Sequence, residues 1–200
     1  PLKTFKAKTA DEVYEMAKDI EWDTIMETNQ TFQIGTTVFS NDFRNSQFVT
    51  YRVKDAIVDY FNEKLGKRPS VRLTNPDFYI NVHISQTDCT ILLDSSGESL
   101  HKRGYRSSQT EAPISEVLAA GMLEMAEWNG QCDFVDPMCG SGTFLIEAAL
   151  KALNIPPCIY RQSFAFEKWK NFDKDLYDSI YNDDSMERPL NFKIKGYDIS

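Results

Sequence analysis

The 200-residue chain has only four cysteines and two histidines. Cys89, Cys132, Cys139 and Cys158 form no C-x-x-C pair and lie near no histidine cluster. This argues against a zinc site and against a disulfide framework, and makes a reducing cytoplasm the expected setting. No stretch approaches the ~20 apolar residues that span a bilayer, so no membrane partner is expected. The first residues, Pro1 to Lys6, contain neither Met nor an apolar run, so they do not read as a signal peptide. They read as a chain entered part-way through. His83 falls on a strand face and His101 in a basic linker, and neither pattern points to a catalytic base.

The chain carries 30 acidic and 22 basic residues, for a net charge of −8. That sum opposes nucleic-acid binding, because phosphates are held by Lys and Arg, but distribution matters more than the total. Acidic residues crowd 11–27 and 173–187. Basic residues gather at Lys102, Arg103 and Arg106, and again at Lys64, Lys67, Arg68 and Arg72.

Residues 1–95 read as a small mixed α/β unit. Thr9 with Glu12 forms a capping-box signature ahead of Val13, Met16, Ala17 and Ile20 at helical spacing. Phe32, Ile34 and Val38 alternate as a strand. Ser46 is expected to cap a helix whose apolar face is Val49, Val53, Ile57, Tyr60 and Phe61. Phe78 to Ile84 and Cys89 to Leu93 alternate as a β-hairpin. The polar run Asp94 to Ser99 marks the junction with a second domain, residues 96–200.

In that second domain Pro113 suits the first turn of a helix lined by Ile114, Val117, Leu118, Met122 and Met125. A short strand ends at Asp136, a glycine turn follows, and a helix runs from about Thr143 to Leu153. Asn154 and Pro156-Pro157 close it, and a last strand runs from Phe192 to Tyr197. Helix, strand, turn, helix and strand open a doubly wound α/β fold. Between them, Ile155 to Pro189 form an aromatic-rich insertion, suited to base stacking or to burial of the excursion against the domain.

The segment with most chemistry is D-P-M-C-G-S-G-T, Asp136 to Thr143. Gly140 and Gly142 let backbone turn sharply and approach a ligand. The turn lacks the Gly-Lys-Ser/Thr of a phosphate loop, and Leu145 stands where a dinucleotide fingerprint wants glycine or alanine. An acidic residue at its head favours a ligand bearing positive charge, amines or hydroxyls. Asp198, ending the next strand, is placed to accept hydrogen bonds from a ribose.

Asp136 to Ala149 resembles motif I of class I amino-methyltransferases. The wider chain is similar to bacterial THUMP-domain enzymes that methylate N2 of guanine in 23S ribosomal RNA. Arg44 to Gln47 and Val53 to Asp59 resemble the THUMP module. Leu100 to Arg106 resembles the signature that joins it to the catalytic domain. Ala112-Pro113-Ile114 and Leu118-Ala119-Ala120 resemble the helix before motif I, and Lys195-Gly196-Tyr197-Asp198 the acidic motif.

The resemblance implies a THUMP module, N-terminally incomplete, followed by the first half of a Rossmann-like class I methyltransferase domain. It implies S-adenosylmethionine as cofactor, held by Asp136, Pro137, Gly140, Gly142, Thr143 and Asp198, with Ala112, Pro113 and Ile114 as pocket wall. RNA contacts fall to Arg44, Asn45, Lys54, Lys102, Arg103 and Arg106. The implied partner is large-subunit ribosomal RNA, before or during assembly, in the cytoplasm, with no metal. The family's Asn/Asp-Pro-Pro-Tyr/Phe motif does not occur in these 200 residues, so they contain no catalytic residue and read as an internal fragment. An adenine-N6 methyltransferase and a non-catalytic RNA-binding adaptor are the alternative readings.

Overall fold

A computed structural model describes residues 1–106 and 113–199. The chain forms two units. Pro1–Gly97 with Phe164–Phe172 make the first, and Glu98–Ser163 with Asp173–Ser200 the second.

The first unit begins with β1 (Lys3–Lys6) and α1 (Ala10–Lys18). Thr9 caps α1 as its sequence signature suggests, its hydroxyl accepting from the Glu12 N–H at 3.2 Å. The reciprocal bond shifts by one residue, since the Glu12 carboxylate accepts from the Lys8 N–H at 2.7 Å. A short helix, α2 (Trp22–Ile25), buries Trp22 completely, and its indole N–H donates to the Ala17 carbonyl at 2.8 Å. Then come β2 (Thr31–Phe39), α3 (Ser46–Leu65), β3 (Ser70–Val71), β4 (Phe78–Ser85) and β5 (Asp88–Leu93).

The sheet order is β1-β5-β4-β2-β3. β4 and β5 form the expected antiparallel hairpin, while β2 pairs parallel with β4, Phe32 opposite Phe78. A parallel pair needs a crossover, and α3 supplies it. Phe78, Ile80, Val82 and Ile84 are buried whereas Asn81, His83 and Ser85 are exposed, so one face of β4 meets the core. Val49, Val53, Ala56, Ile57 and Phe61 form the buried stripe of α3. Its cap is Asn45, not Ser46: the Asn45 side chain reaches the Phe48 N–H at 3.1 Å, which makes Ser46 the first helical residue.

The insertion is divided between the units. Ala165–Lys168 form a 3₁₀ turn in the first unit, where Trp169 packs against the core and the Phe164 and Phe166 rings stack at 5.2 Å. Residues 174–181 form a helix in the second unit with no buried residue, its Tyr177 and Tyr181 rings stacked at 5.4 Å.

The second unit contains α4 (Glu116–Met125), β6 (Phe134–Asp136), α5 (Thr143–Leu153), then α6 (Lys174–Tyr181) and β7 (Ile194–Gly196). β6 and β7 pair in parallel around α5, as the α/β reading requires. Asn154 closes α5 in the left-handed conformation. Pro113 lies ahead of the N-cap Ser115, outside the first turn of α4, because the helix begins only at Glu116. The expected apolar face of α4 is also wrong. Val117, Leu118 and Met125 are exposed, and Glu116, Ala119 and Leu123 are buried. Helical period alone does not choose a face, and an ion pair at Glu116 fixes the other one. Among the described residues no helix is long and apolar enough to cross a membrane.

Asp77, just before β4, ties strand starts together in the first unit. Its carboxylate accepts from the Thr31 N–H and hydroxyl, both at 2.8 Å, and pairs with Lys168 at 2.9 Å. Burial alone would raise its pKa, but these donors outweigh burial and lower it from 3.8 to about 2. A carboxyl whose pKa falls on folding stabilises above its unfolded value and loses that contribution as pH drops through the folded one. Asp77→Asn is expected to cost about 1 kcal/mol at pH 7, discounted for a side chain that remains part-exposed. It should also remove the stability change between pH about 4 and about 2. Urea midpoints across that range measure both.

Candidate functional site

β6 ends at Asp136 beside Gly196, the last residue of β7. The Asp136 carboxylate accepts from the Met138 N–H at 3.1 Å, which bends the chain away from the strand. Its carbonyl accepts from the Tyr197 N–H at 2.9 Å, and the Cys139 N–H donates back to the Tyr197 carbonyl at 2.9 Å. The Gly140 N–H donates to Asp198 Oδ2 at 2.9 Å. The two acidic residues that the sequence separates by about sixty positions therefore flank one turn.

Gly140 and Gly142 have φ of +50° and +78°, a left-handed conformation that side-chain-bearing residues rarely adopt. The turn remains open, Gly140 being exposed and Met138 84% exposed. The sequence reading missed the need for Gly196. A Cβ there would lie 2.3 Å from Leu145 Cδ1 and 2.8 Å from Cys139 Sγ, so glycine lets β7 pass against the turn. A small residue opposite the turn's end in a parallel pair is the signal that could have found it.

Thr143, first residue of α5, is buried, and its hydroxyl accepts from Arg106 Nη2 at 3.2 Å. The same Nη2 donates to the Ile114 carbonyl at 2.5 Å, and Arg106 Nε lies 2.7 Å from Glu116 Oε1, off the line of its N–H bond. Arg106 thus joins Thr143 to the Ile114 segment. Pro113 is exposed and Ile114 half-buried. Ala112 lies outside the described residues. An open cavity of about 450 Å³ is lined by His101, Lys102, Arg106, Pro113 and Ile114. It includes no residue of the glycine turn, where Asp136 and Asp198 converge.

The basic residues fall into two groups. Arg103 grips Glu147 with Nε at 3.2 Å and Nη2 at 3.3 Å, and the Tyr105 hydroxyl donates to the same carboxylate at 2.9 Å. Burial, and then this bond to Glu147, push the Tyr105 hydroxyl pKa upward. Arg103 and Arg106 are therefore consumed inside the second unit, their charges matched by buried carboxylates. Lys54 and Lys102 make only exposed pairs with Asp55 and Glu98. Arg44 is exposed with no side-chain partner among the described residues, and Asn45, also exposed, uses its Oδ1 to cap α3. All four cysteines are free, and burial pushes the Cys89 thiol up to about 11. Among the described residues no group of His, Cys, Asp and Glu is arranged to hold a metal.

A parallel strand–turn–helix–strand unit with an acidic, glycine-bearing turn and an acidic second strand end defines the cofactor half of a class I methyltransferase. A small α/β module precedes it. Residues 7–94 match the THUMP domain, and residues 103–199 match the RMKL-like methyltransferase domain. The chain thus belongs, across its two units, to the THUMP-bearing RMKL-like methyltransferases. A curated relative, "Ribosomal RNA large subunit methyltransferase K/L" of Psychromonas ingrahamii, is 41% identical over 90% of the chain. The chain covers 24% of that relative, about a quarter of its length. A crystal structure from Listeria monocytogenes, named a "predicted N6-adenine-specific DNA methylase", is 32% identical with a TM-score of 0.85, covering the whole chain and 53% of that protein. SMU.472, solved as a complex with SAH, is 30% identical with a TM-score of 0.82 and matches over 100% of this chain and 53% of its own.

Glu147 generates a stability test. Breaking a buried pair by removing one partner leaves the other charge uncompensated and typically costs about 3–5 kcal/mol. Glu147→Ala is expected to destabilise by about 3 kcal/mol, with Arg103→Leu/Glu147→Leu recovering part of the loss. Thermal unfolding of the three proteins measures the order.

Proposed function

We propose that this chain supplies the cofactor-binding and RNA-docking parts of an S-adenosylmethionine-dependent methyltransferase that modifies N2 of a guanine in large-subunit ribosomal RNA. The observation that carries the reading is the Gly140–Asp198 hydrogen bond, which gathers Asp136 and Asp198 around a positive-φ glycine turn. Such a site offers acceptors and close backbone approach, with no lysine in the turn to receive a diphosphate. It suits a ligand with an ammonium group at one end and ribose hydroxyls at the other. SMU.472 was solved with SAH, the demethylated form of that ligand.

In this reading Asp136 accepts from the amino group, and Asp198 exchanges its bond to Gly140 for the ribose hydroxyls. Pro137, Gly140, Gly142 and Thr143 shape the backbone around the methionine part, with Ala112, Pro113 and Ile114 as wall. The bound cofactor brings a methyl group already activated on a sulfonium. The chain's own work is to fix that donor and exclude water, so that methyl and acceptor nitrogen meet in line. Arg106 supports this by holding Thr143 and Ile114 at a fixed separation. Arg44, Asn45, Lys54 and Lys102 are the proposed RNA contacts of the notable surface groups, and Arg103 and Arg106 act through Glu147 and Glu116 instead. Ribosomal RNA before or during assembly, in the cytoplasm, is the substrate this implies.

The name of the Listeria structure favours a second reading, methylation of adenine N6. The THUMP module argues for RNA, since an enzyme acting on DNA gains nothing from it.

Calorimetric titration with S-adenosylmethionine tests the cofactor site. Wild type is expected to bind, and Asp136→Ala and Asp198→Ala each to weaken binding by tenfold or more, the loss of one or two charge-assisted hydrogen bonds. Absence of binding by folded wild type would make the turn architectural. The chain lacks an Asn/Asp-Pro-Pro-Tyr/Phe motif to position the acceptor amine. Incubated with tritiated cofactor and an rRNA transcript, it is expected to leave the RNA unlabelled.

A further inference from the structure

The first unit is economical with its positive charge. Lys3, Lys6, Lys18, Arg52, Lys54, Lys64 and Lys168 each pair with a carboxylate, and Lys170 donates to the Asp23 carbonyl. Among its described residues, only the side chains of Lys8, Arg44, Lys67, Arg68 and Arg72 lack a hydrogen bond or ion pair. Three of those five fall within six residues, on the segment that follows α3.

That segment is held in place. Gly66 ends α3 in the left-handed conformation, its N–H donating to the Asn62 carbonyl at 2.9 Å. Pro69 and Pro76 are buried and anchor both ends. β3 pairs with β2 at the edge of the sheet, and the Arg72 N–H donates to the Phe32 carbonyl at 3.0 Å. Leu65, Lys67 and Arg68 are exposed ahead of Pro69, and between the two prolines so are Val71, Arg72 and Leu73, the last 77% exposed. Unmatched like charges held close together repel one another, and an acidic chain has carboxylates enough to neutralise them. Here it does not. A polyanion with apolar faces between its charges would satisfy both features at once: phosphates for the cations, bases and ribose for the leucines and valine.

We infer that the Lys67–Leu73 edge of the first unit is an RNA-binding rim, in which Lys67, Arg68 and Arg72 contact successive phosphates of a single-stranded or looped segment. The inference rests on the RNA reading above and locates a surface that reading did not include. Cations on an edge strand also deter strand pairing between molecules, a role that needs no RNA.

The test is fluorescence anisotropy of a fluorescein-labelled single-stranded 30-nucleotide RNA titrated with the full chain at several salt concentrations. The rim variant is Lys67→Gln/Arg68→Gln/Arg72→Gln. The control, Lys6→Gln/Lys8→Gln/Lys174→Gln, removes the same charge elsewhere. Each single-strand phosphate contact contributes about 0.7 to the slope of log affinity against log salt. The rim variant is expected to flatten the slope by about 2 and to bind about a hundredfold more weakly at 0.1 M salt, relative to a common limit near 1 M. The control is expected to keep the wild-type slope. Equal weakening in both variants would mean that only net charge matters and overturn the rim. Wild-type affinity in a rim variant that self-associates would assign the cations to edge protection and overturn it too. If wild type binds no RNA, the RNA reading itself falls, and the rim with it.

Discussion

The Arg106 guanidinium joins groups that the backbone leaves apart. It reaches the carbonyl of Ile114 ahead of α4, the carboxylate of Glu116 in the first turn of α4, and the hydroxyl of Thr143 at the start of α5. Four positions, about one turn, further along α5, Arg103 and Tyr105 close on Glu147. Two acidic side chains are thus drawn into the unit, each with its counter-charge supplied by a stretch of four residues. Taking charges out of water is costly, and a partner in good geometry is what offsets the cost. The start of α5, and with it the end of the glycine turn, inherits its position from this arrangement.

Much of the architecture was legible because it obeys short-range rules. The β4–β5 hairpin shows a period of two on each strand, and α5 ends where Asn154 can adopt a left-handed conformation. The Asp136 turn and Asp198 are separated widely in sequence, yet each is marked by its place at a strand end. Their meeting in one turn follows from the parallel pairing of β6 and β7.

What stayed hidden depends on contacts between distant residues. The face of α4 was misjudged because its apolar residues outnumber its buried ones, and Glu116 turns inward only when Arg106 is there to meet it. Arg103 and Arg106 looked like free surface cations in sequence; their partners lie 44 and 10 residues away. Asn45 outcompeted Ser46 as a cap by one position, a distinction no pattern of apolar residues makes. The full burial of Trp22, and the requirement for glycine at 196, likewise appear only when the neighbouring elements are in place.

The nine residues from Phe164 to Phe172 belong to the unit whose other residues end at Gly97. On a ribosome the chain emerges from its N-terminus at about 5–20 residues per second, so some 4–15 s separate the appearance of Gly97 from that of Phe172. Through that interval the residues of the first unit's sheet and helices exist without Trp169 for their core and without Lys168 for Asp77. Its completion waits for the glycine turn and α5 to be synthesised. Vectorial folding here is interleaved, and the order of genesis differs from the order of the domains.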